Sequence, residues 1–267
     1  MATCFHHPSR ETGRACTRCG RSACPDCLIQ ASVGSQCFEC VKAAAPPTTV
    51  RLKRWWKGTD LLVTQAIIAI TVVAYVVISA KDGRIDGEGR TSLDLALFGP
   101  LVELGDWYRL GTNAIVHFGP IHLFFNMFIL YQVGQVLEPG TGHLRFLLLY
   151  VVSVLGGAAG ALVLDPTAFT GGASGGVFGV AAAAALALHR RGVPFMQTAF
   201  GPLIAINLFL SFVLPNVSIG GHIGGLLAGL IAAESMLQAR RIGQPALGIV
   251  GAVGVGVIAV AIAYSAL

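Results

Sequence analysis

From Leu61 to Ser79 the chain carries no charged residue, an apolar stretch as long as the ~20 residues a helix needs to cross a bilayer. Inside hydrocarbon every backbone N–H and C=O must find its partner within the protein, so a segment of this kind crosses a membrane as a helix. Comparable apolar runs follow at 115–136, 144–164, 174–189, 196–213, 221–238 and 246–266, separated by short segments holding Pro, Asp, Arg or Asn. Seven spans result, and the expected fold is an all-α polytopic membrane protein. Composition agrees, since 54% of the residues are hydrophobic and only 12% are charged, against the ~25% charged of soluble domains. A single soluble core is disfavoured on that ground.

The basic residues give the spans a direction. Arg51, Lys53, Arg54 and Lys57 precede the first span, Arg145 lies between the second and third, Arg190 and Arg191 follow the fourth, and Arg240 and Arg241 follow the sixth. If seven helices alternate, all of these fall on one side, which the excess of Lys and Arg marks as cytoplasmic. The N-terminus is then cytoplasmic and the C-terminus external, in a multi-pass protein whose expected setting is the plasma membrane of a bacterial cell. The net charge of +5 is carried mainly by these clusters at the ends of apolar runs, so it reads as topology and no nucleic-acid partner is expected. The first 50 residues are polar and cysteine-rich where a cleavable signal peptide has an apolar stretch, so none is expected there. Residues 43–58 combine Pro46 and Pro47 with those four basic residues, Trp55 and Trp56, which reads as a linker ending in an anchor at the bilayer surface. The longest connection, 80–114, falls on the external side and holds Trp107, Tyr108 and Arg109.

Polar residues inside spans are expensive, and those present are informative: His117, His122 and Asn126 in or near the second span, Ser174 opening the fourth, and His222 opening the sixth. The second, fourth and sixth spans run in one direction, so all five residues lie toward the outer leaflet at comparable depth. His122 and Asn126, four apart, share one helix face and can each donate a hydrogen bond from it. Ser174 sits in Gly171-Gly172-Ala173-Ser174-Gly175-Gly176, where missing side chains let the backbone turn tightly and another chain approach. Gly175 and Gly179, like Gly225 and Gly229 after His222, make the G-x-x-x-G spacing that lets helices pack backbone to backbone. A serine hydroxyl needs a base to become a nucleophile, and neutral imidazole suits that task near pH 7. Attack on a carbonyl creates an oxyanion, for which His122, Asn126 and the Ser174 N–H are the available donors. No Asp or Glu lies in the outer half of a span, the nearest being Asp165, so the expectation is a Ser174–His222 dyad without an acidic third member.

Three motifs in this order, H-x-x-x-N at 122–126 after His117, G-A-S-G at 172–175 and G-H-I-G at 221–224, resemble those of the rhomboid intramembrane serine proteases. The resemblance covers about 60–238. Trp107 and Arg109 look like that family's external W-R pair, split here by Tyr108, and Gly134 and Glu138 look like its G-x-x-x-E. The resemblance implies a six-helix core over 59–240, after which the last apolar run, with no motif of its own, is expected to form a seventh transmembrane helix over 241–267. It also implies cleavage of other membrane proteins in or near their membrane-spanning helices, with Ser174 and His222 catalytic and His122, Asn126, His117, Gly172 and Phe178 in support. Phe178 stands where many relatives carry a tyrosine stacked on the base; it keeps the ring and loses the hydroxyl. Two other classes compete. A non-catalytic binder of transmembrane helices is opposed by the intact serine, histidine and oxyanion donors, and a transporter by the lack of internal repeats and buried acids. His143 and His189 are expected in cytoplasmic turns, and Glu138 as a cap or as a partner of Arg145.

All seven cysteines fall within the first 40 residues. Cys4-x-x-His7, Cys16-x-x-Cys19, Cys24-x-x-Cys27 and Cys37-x-x-Cys40 supply eight ligands, the number two tetrahedral structural zinc ions take, with His6 the alternative to His7. Residues 1–42 are therefore expected to form a zinc-binding module, with disulfides disfavoured in a reducing cytosol. The module resembles B-box-type zinc fingers, which implies that pairs one and three hold one ion and pairs two and four the other. A cytoplasmic protein partner is the expected use of such a module, besides the lipid bilayer and the transmembrane substrates that engage the spans.

Overall fold

The computed structural model describes residues 2–31, 34–44, 60–213 and 217–267, and the chain divides into two compact units, Met1–Thr59 and Asp60–Leu267. Of the expected linker, residues 45–58 lie outside the described residues, with them Trp55, Trp56 and the basic residues before the first span.

In the first unit β1 (Ala2–Thr3) pairs antiparallel with β2 (Glu11–Thr12), and β3 (Leu28–Gln30) with β4 (Ser35–Cys37), which leads into α1 (Phe38–Ala44). Its interior is made of thiols: Cys4, Cys16, Cys24, Cys27 and Cys37 are buried around Ala23, with Phe5 and Leu28 only partly covered. A chain this short gathers too little apolar surface for a core of its own.

The second unit is helical. In chain order it contains α2 (Leu62–Asp82), three short helices α3 (Arg90–Leu95), α4 (Gly99–Glu103) and α5 (Arg109–Thr112), then α6 (Pro120–Thr141), α7 (His143–Leu164), α8 (Ser174–His189), α9 (Phe200–Val213), α10 (Ile219–Arg241) and α11 (Pro245–Ser265). Each of the seven apolar runs is a helix, and the protein is an all-α polytopic membrane protein. Side chains such as Ile70, Val73 and Val76 on α2, Phe124 and Phe128 on α6 and Phe212 on α9 are exposed, an arrangement suited to lipid.

Five of these helices, α2, α6, α7, α10 and α11, are long and apolar enough to cross a membrane, whereas α8 has 16 residues and α9 has 14. The shortness of α8 has a reason in its packing. Every residue from Gly175 to Ala185 is buried, so this helix meets protein on all sides and presents no apolar length to lipid. Two starts differ from the sequence reading by four residues or more. The second span opens at Pro120 and not at 115, because Gly119 turns the chain at φ +96° and Pro120 fits the first helical turn. The fifth opens at Phe200 and not at 196, after a 3₁₀ turn at Phe195–Gln197 that ends with Thr198 Oγ1 accepting from the Gly201 N–H at 2.9 Å.

Glycines set the centre of the bundle. A Cβ on Gly225 would stand 2.2 Å from Gly175 O, and one on Gly229 2.4 Å from Gly179 Cα, so α8 and α10 touch along their backbones and run parallel. Gly156 meets Gly224 and Gly160 meets Gly220 in the reverse sense, so α7 runs antiparallel to α10. The paired G-x-x-x-G faces have brought Ser174 and His222 to the same end of two adjacent parallel helices.

Candidate active site and metal centres

The loop before α8 is held by the segment between α2 and α6. Leu97 and Thr170 exchange two backbone hydrogen bonds, 2.8 and 2.9 Å, and the Gly172 N–H donates to Asn113 O at 2.9 Å. Asn113 is fixed in turn by its side-chain amide, which donates to the carbonyls of Arg109 and Leu110 at 2.8 Å each. Arg109, 2% exposed, anchors the segment through Nη1 to Leu93 O and Ala96 O and through Nε to Asp106. A buried guanidinium is tolerable only when its N–H groups are so engaged. His117 lies in the loop ahead of α6, with Nε2 accepting from the Ala173 N–H at 3.3 Å. It therefore grips the residue just before Ser174.

Gly172 adopts φ +138°, and a Cβ there would sit 2.9 Å from His122 Cε1, 3.0 Å from His122 Nε2 and 3.5 Å from Ser174 Oγ. The imidazole edge of His122 and the Ser174 hydroxyl thus border one small space whose floor only glycine can form. Ser174 opens α8, where the first N–H groups of a helix have no carbonyl of their own and favour negative charge. Asn126 is buried one turn below His122, its Nδ2 donating to His122 O at 2.9 Å; the amide has a second N–H.

His222, 9% exposed, is stacked on Phe178 with ring centroids 4.2 Å apart and 19° between planes. Phe178 stands one turn after Ser174 on the same face of α8, so the imidazole lies against the face that carries the hydroxyl. His222 Nδ1 is 2.6 Å from Ser211 Oγ on α9. Among the described residues Ser174 Oγ itself makes no hydrogen bond, and the polar partner of His222 is Ser211, a residue the sequence analysis did not single out. The only signal for it was a serine in an apolar helix, which is usually satisfied by its own backbone.

In the first unit the ligand atoms of Cys4, His7, Cys24 and Cys27 all lie within 4.8 Å of one another, as do those of Cys16, Cys19, Cys37 and Cys40. His7 Nδ1 is 3.9, 3.4 and 3.3 Å from the sulfurs of Cys4, Cys24 and Cys27, and Cys19 Sγ is 3.8 Å from Cys37 Sγ. A tetrahedral ion with metal–sulfur bonds of ~2.3 Å separates its ligand atoms by about 3.5–3.8 Å, so both clusters have the dimensions of such a site. His6 is turned away, its Nε2 3.7 Å from Glu39 Oε1. Burial and the neighbouring thiols push Cys27 and Cys40 up to about 12. Burial works against the Cys4 thiolate too, but backbone N–H groups of Cys24, His6 and His7 bring it down to about 6, and Cys16 falls to about 6 chiefly through the Cys37 backbone. Three or four sulfurs so close cannot all ionise unaided; a bound cation is what lets every one become a thiolate. The two clusters are able to bind metal ions.

A model of the Rhomboid domain matches residues 104–239, about half of the chain. The chain belongs to the rhomboid family. It is 32% identical over 180 residues to the rhomboid protease GluP of Bacillus subtilis (strain 168), covering 65% of this chain and 34% of GluP. To the putative rhomboid protease YdcA of the same organism it is 30% identical over 149 residues, 52% of this chain and 72% of YdcA. To the inactive rhomboid-related protein 2 of Caenorhabditis elegans it is 27% identical over 186 residues, 64% of this chain and 52% of that protein. The chain thus spans about a third of the length of GluP. Rhomboid relatives include both proteases and a protein named inactive, so turnover is a question for the site.

The remaining residues of the rhomboid resemblance have structural surroundings. Trp107 is exposed with its ring 5.6 Å from that of Tyr264 on α11. Glu138, fully buried, accepts from the Val63 and Thr64 N–H groups at 2.8 and 2.9 Å and from the Thr64 hydroxyl at 2.5 Å, and it lies 2.6 Å from His143 Nδ1. Its partners are the start of α2 and His143, not Arg145, whose Nη1 reaches Thr141 O. Gly134, one turn earlier, has no room for a Cβ, which would fall 2.3 Å from Thr64 Oγ1. The G-x-x-x-E pair therefore docks and caps the first span. His189 Nδ1 is 3.3 Å from Val193 O in the turn after α8.

Proposed function

We propose that this rhomboid chain is an intramembrane serine endopeptidase that cuts membrane proteins in or near their membrane-spanning helices, with Ser174 as nucleophile and His222 as base. The observation that carries the reading is the stack of His222 on Phe178, one turn from Ser174, between two parallel helices in backbone contact. On this reading Ser174 Oγ gives its proton to His222 Nε2 as it attacks the scissile carbonyl, and the new oxyanion faces the Ser174 N–H and the side chains of His122 and Asn126. The imidazolium then protonates the leaving amine, and water, activated by the same imidazole, hydrolyses the acyl-enzyme. Gly172 and His117 hold the loop that sets the Ser174 N–H, and Phe178 holds the ring plane of the base.

In the same proposal the N-terminus is cytoplasmic and the C-terminus external, in the plasma membrane of a bacterium, which puts the active site toward the outer leaflet. The first unit binds two zinc ions, one through Cys4, His7, Cys24 and Cys27 and the other through Cys16, Cys19, Cys37 and Cys40. Closed thiolate-rich sites of this kind crosslink a fold and supply no catalysis, and the module serves as a cytoplasmic docking unit.

The test is reconstitution into lipid vesicles with a single-span reporter substrate, with mass spectrometry of the products. Cleavage within or beside the reporter's span by wild type, and none by Ser174→Ala, is the expected result. An intact reporter with a folded wild-type protein would leave only a helix-binding role.

A further inference from the structure

We propose that Ser211 is a positioning residue for His222, holding the imidazole in the tautomer that a base requires; this inference rests on the protease reading above. Ser211 lies in the last turn of α9 and is 6% exposed, although its neighbours Leu210 and Phe212 are exposed at 38% and 70%. Its side chain is thus the inward polar point of a helix whose flanks face outward. Two hydrogen bonds converge on its oxygen: the hydroxyl donates to Asn207 O at 2.8 Å, and His222 Nδ1 lies at 2.6 Å.

The hydroxyl has one proton, and both contacts are hydrogen bonds at once only if that proton goes to the Asn207 carbonyl, which can only accept. Toward His222 the oxygen offers only lone pairs, so the bond at 2.6 Å requires that Nδ1 carry the ring proton. A neutral imidazole protonated on Nδ1 has its lone pair on Nε2, the atom that must accept the Ser174 proton. The opposite tautomer would leave Nε2 protonated and useless as a base. Ser211 keeps its own proton throughout: Ser174 Oγ–H passes to Nε2, the Nδ1–H bond to Ser211 persists in the imidazolium, and the Nε2 proton leaves with the amine. A neutral hydroxyl stabilises that cation less than a carboxylate does, so Ser211 orients and selects the tautomer more than it supplies charge. Because Ser211 belongs to α9 and His222 to α10, the base is in register only when these two helices are docked.

Partners that orient metal-bound side chains contribute about 10–100-fold, and an orienting contact to a catalytic base is expected to be of that order. The experiment compares wild type, Ser211→Ala and Ser211→Thr in vesicles, with kcat and KM measured separately and the ¹⁵N shifts of labelled His222 recorded on the same samples. Ser211→Ala is expected to lower kcat about 10–100-fold with KM little changed, and to move the His222 spectrum from a single Nδ1–H form to a mixture of tautomers. Ser211→Thr, which keeps the acceptor oxygen, is expected to recover most of kcat and the single form. Wild-type kcat and an unchanged spectrum in Ser211→Ala would overturn the positioning role while leaving the protease reading intact. Absence of Ser174-dependent turnover in wild type would overturn the protease reading, and the positioning role with it.

Discussion

At the scale of single residues, the proposed chemistry depends on donors and rings held at the mouth of one small space. His122 borders Gly172 beside Ser174 Oγ, and Asn126 stands one turn away with an amide N–H to spare. Loss of one oxyanion donor costs about 10²–10³ in rate in a well-studied hydrolase, so His122→Ala and Asn126→Ala are each expected to lower kcat by that order with little change in KM, read in a vesicle cleavage assay. Phe178→Tyr is expected to retain activity, since the ring that stacks on His222 is kept, whereas Phe178→Ala frees the imidazole and is expected to lose about 10-fold or more. Ser174, His222, His122 and Asn126 stood out in the sequence as candidates because a polar residue in an apolar span is costly, and the structure gathers His122 beside Ser174 and His222 on Phe178. Ser211 did not stand out. A serine in such a helix normally bonds the carbonyl four residues back, as Ser211 does, and nothing in the local sequence shows a second partner arriving from another helix.

At the scale of elements, two devices set the bundle. One is the glycine seam of α7, α8 and α10. Gly225→Val would drive a branched side chain into Gly175 O, 2.2 Å from the Cβ position, and is expected to cost more than the ~1–3 kcal/mol of ordinary overpacking, seen as a lower unfolding temperature in detergent together with lost cleavage. The other is Glu138. Its carboxylate satisfies the N–H groups of Val63 and Thr64 at the buried start of α2, and Glu138→Ala leaves both without acceptors, at about 1–3 kcal/mol each. Loss of stability with the wild-type cleavage site unchanged would mark that role as structural. The spans themselves were legible as apolar runs, and the seam as repeated G-x-x-x-G. Two of their starts were not, because Gly119 and the turn at Phe195–Gln197 break the helix inside stretches that remain apolar in composition. The partner of Glu138 was not legible either, since it comes from a helix 74 residues away.

At the scale of the whole molecule, the two units follow different physics, and the segregation of every cysteine into the first 40 residues made that division visible. The first is expected to hold together through zinc, the second through helix packing in lipid. Chelation of the full-length protein is therefore expected to abolish the fold of residues 2–44 and to leave the helical content of α2–α11 in place, which proteolysis followed by circular dichroism reads out. Zinc must displace the protons that Cys27 and Cys40 retain up to about 12, so binding at neutral pH releases protons, and affinity falls as pH falls. Titration in weak buffer with a pH indicator measures that release; none would count against thiolate ligation.

The central claim is that Ser174 is an activated nucleophile and His222 its base. The direct measurement is labelling of the purified protein by a fluorophosphonate probe, comparing wild type with Ser174→Ala and His222→Ala. Labelling of wild type alone is the predicted result. Labelling that survives in Ser174→Ala, or a folded wild type that does not react at all, would contradict it.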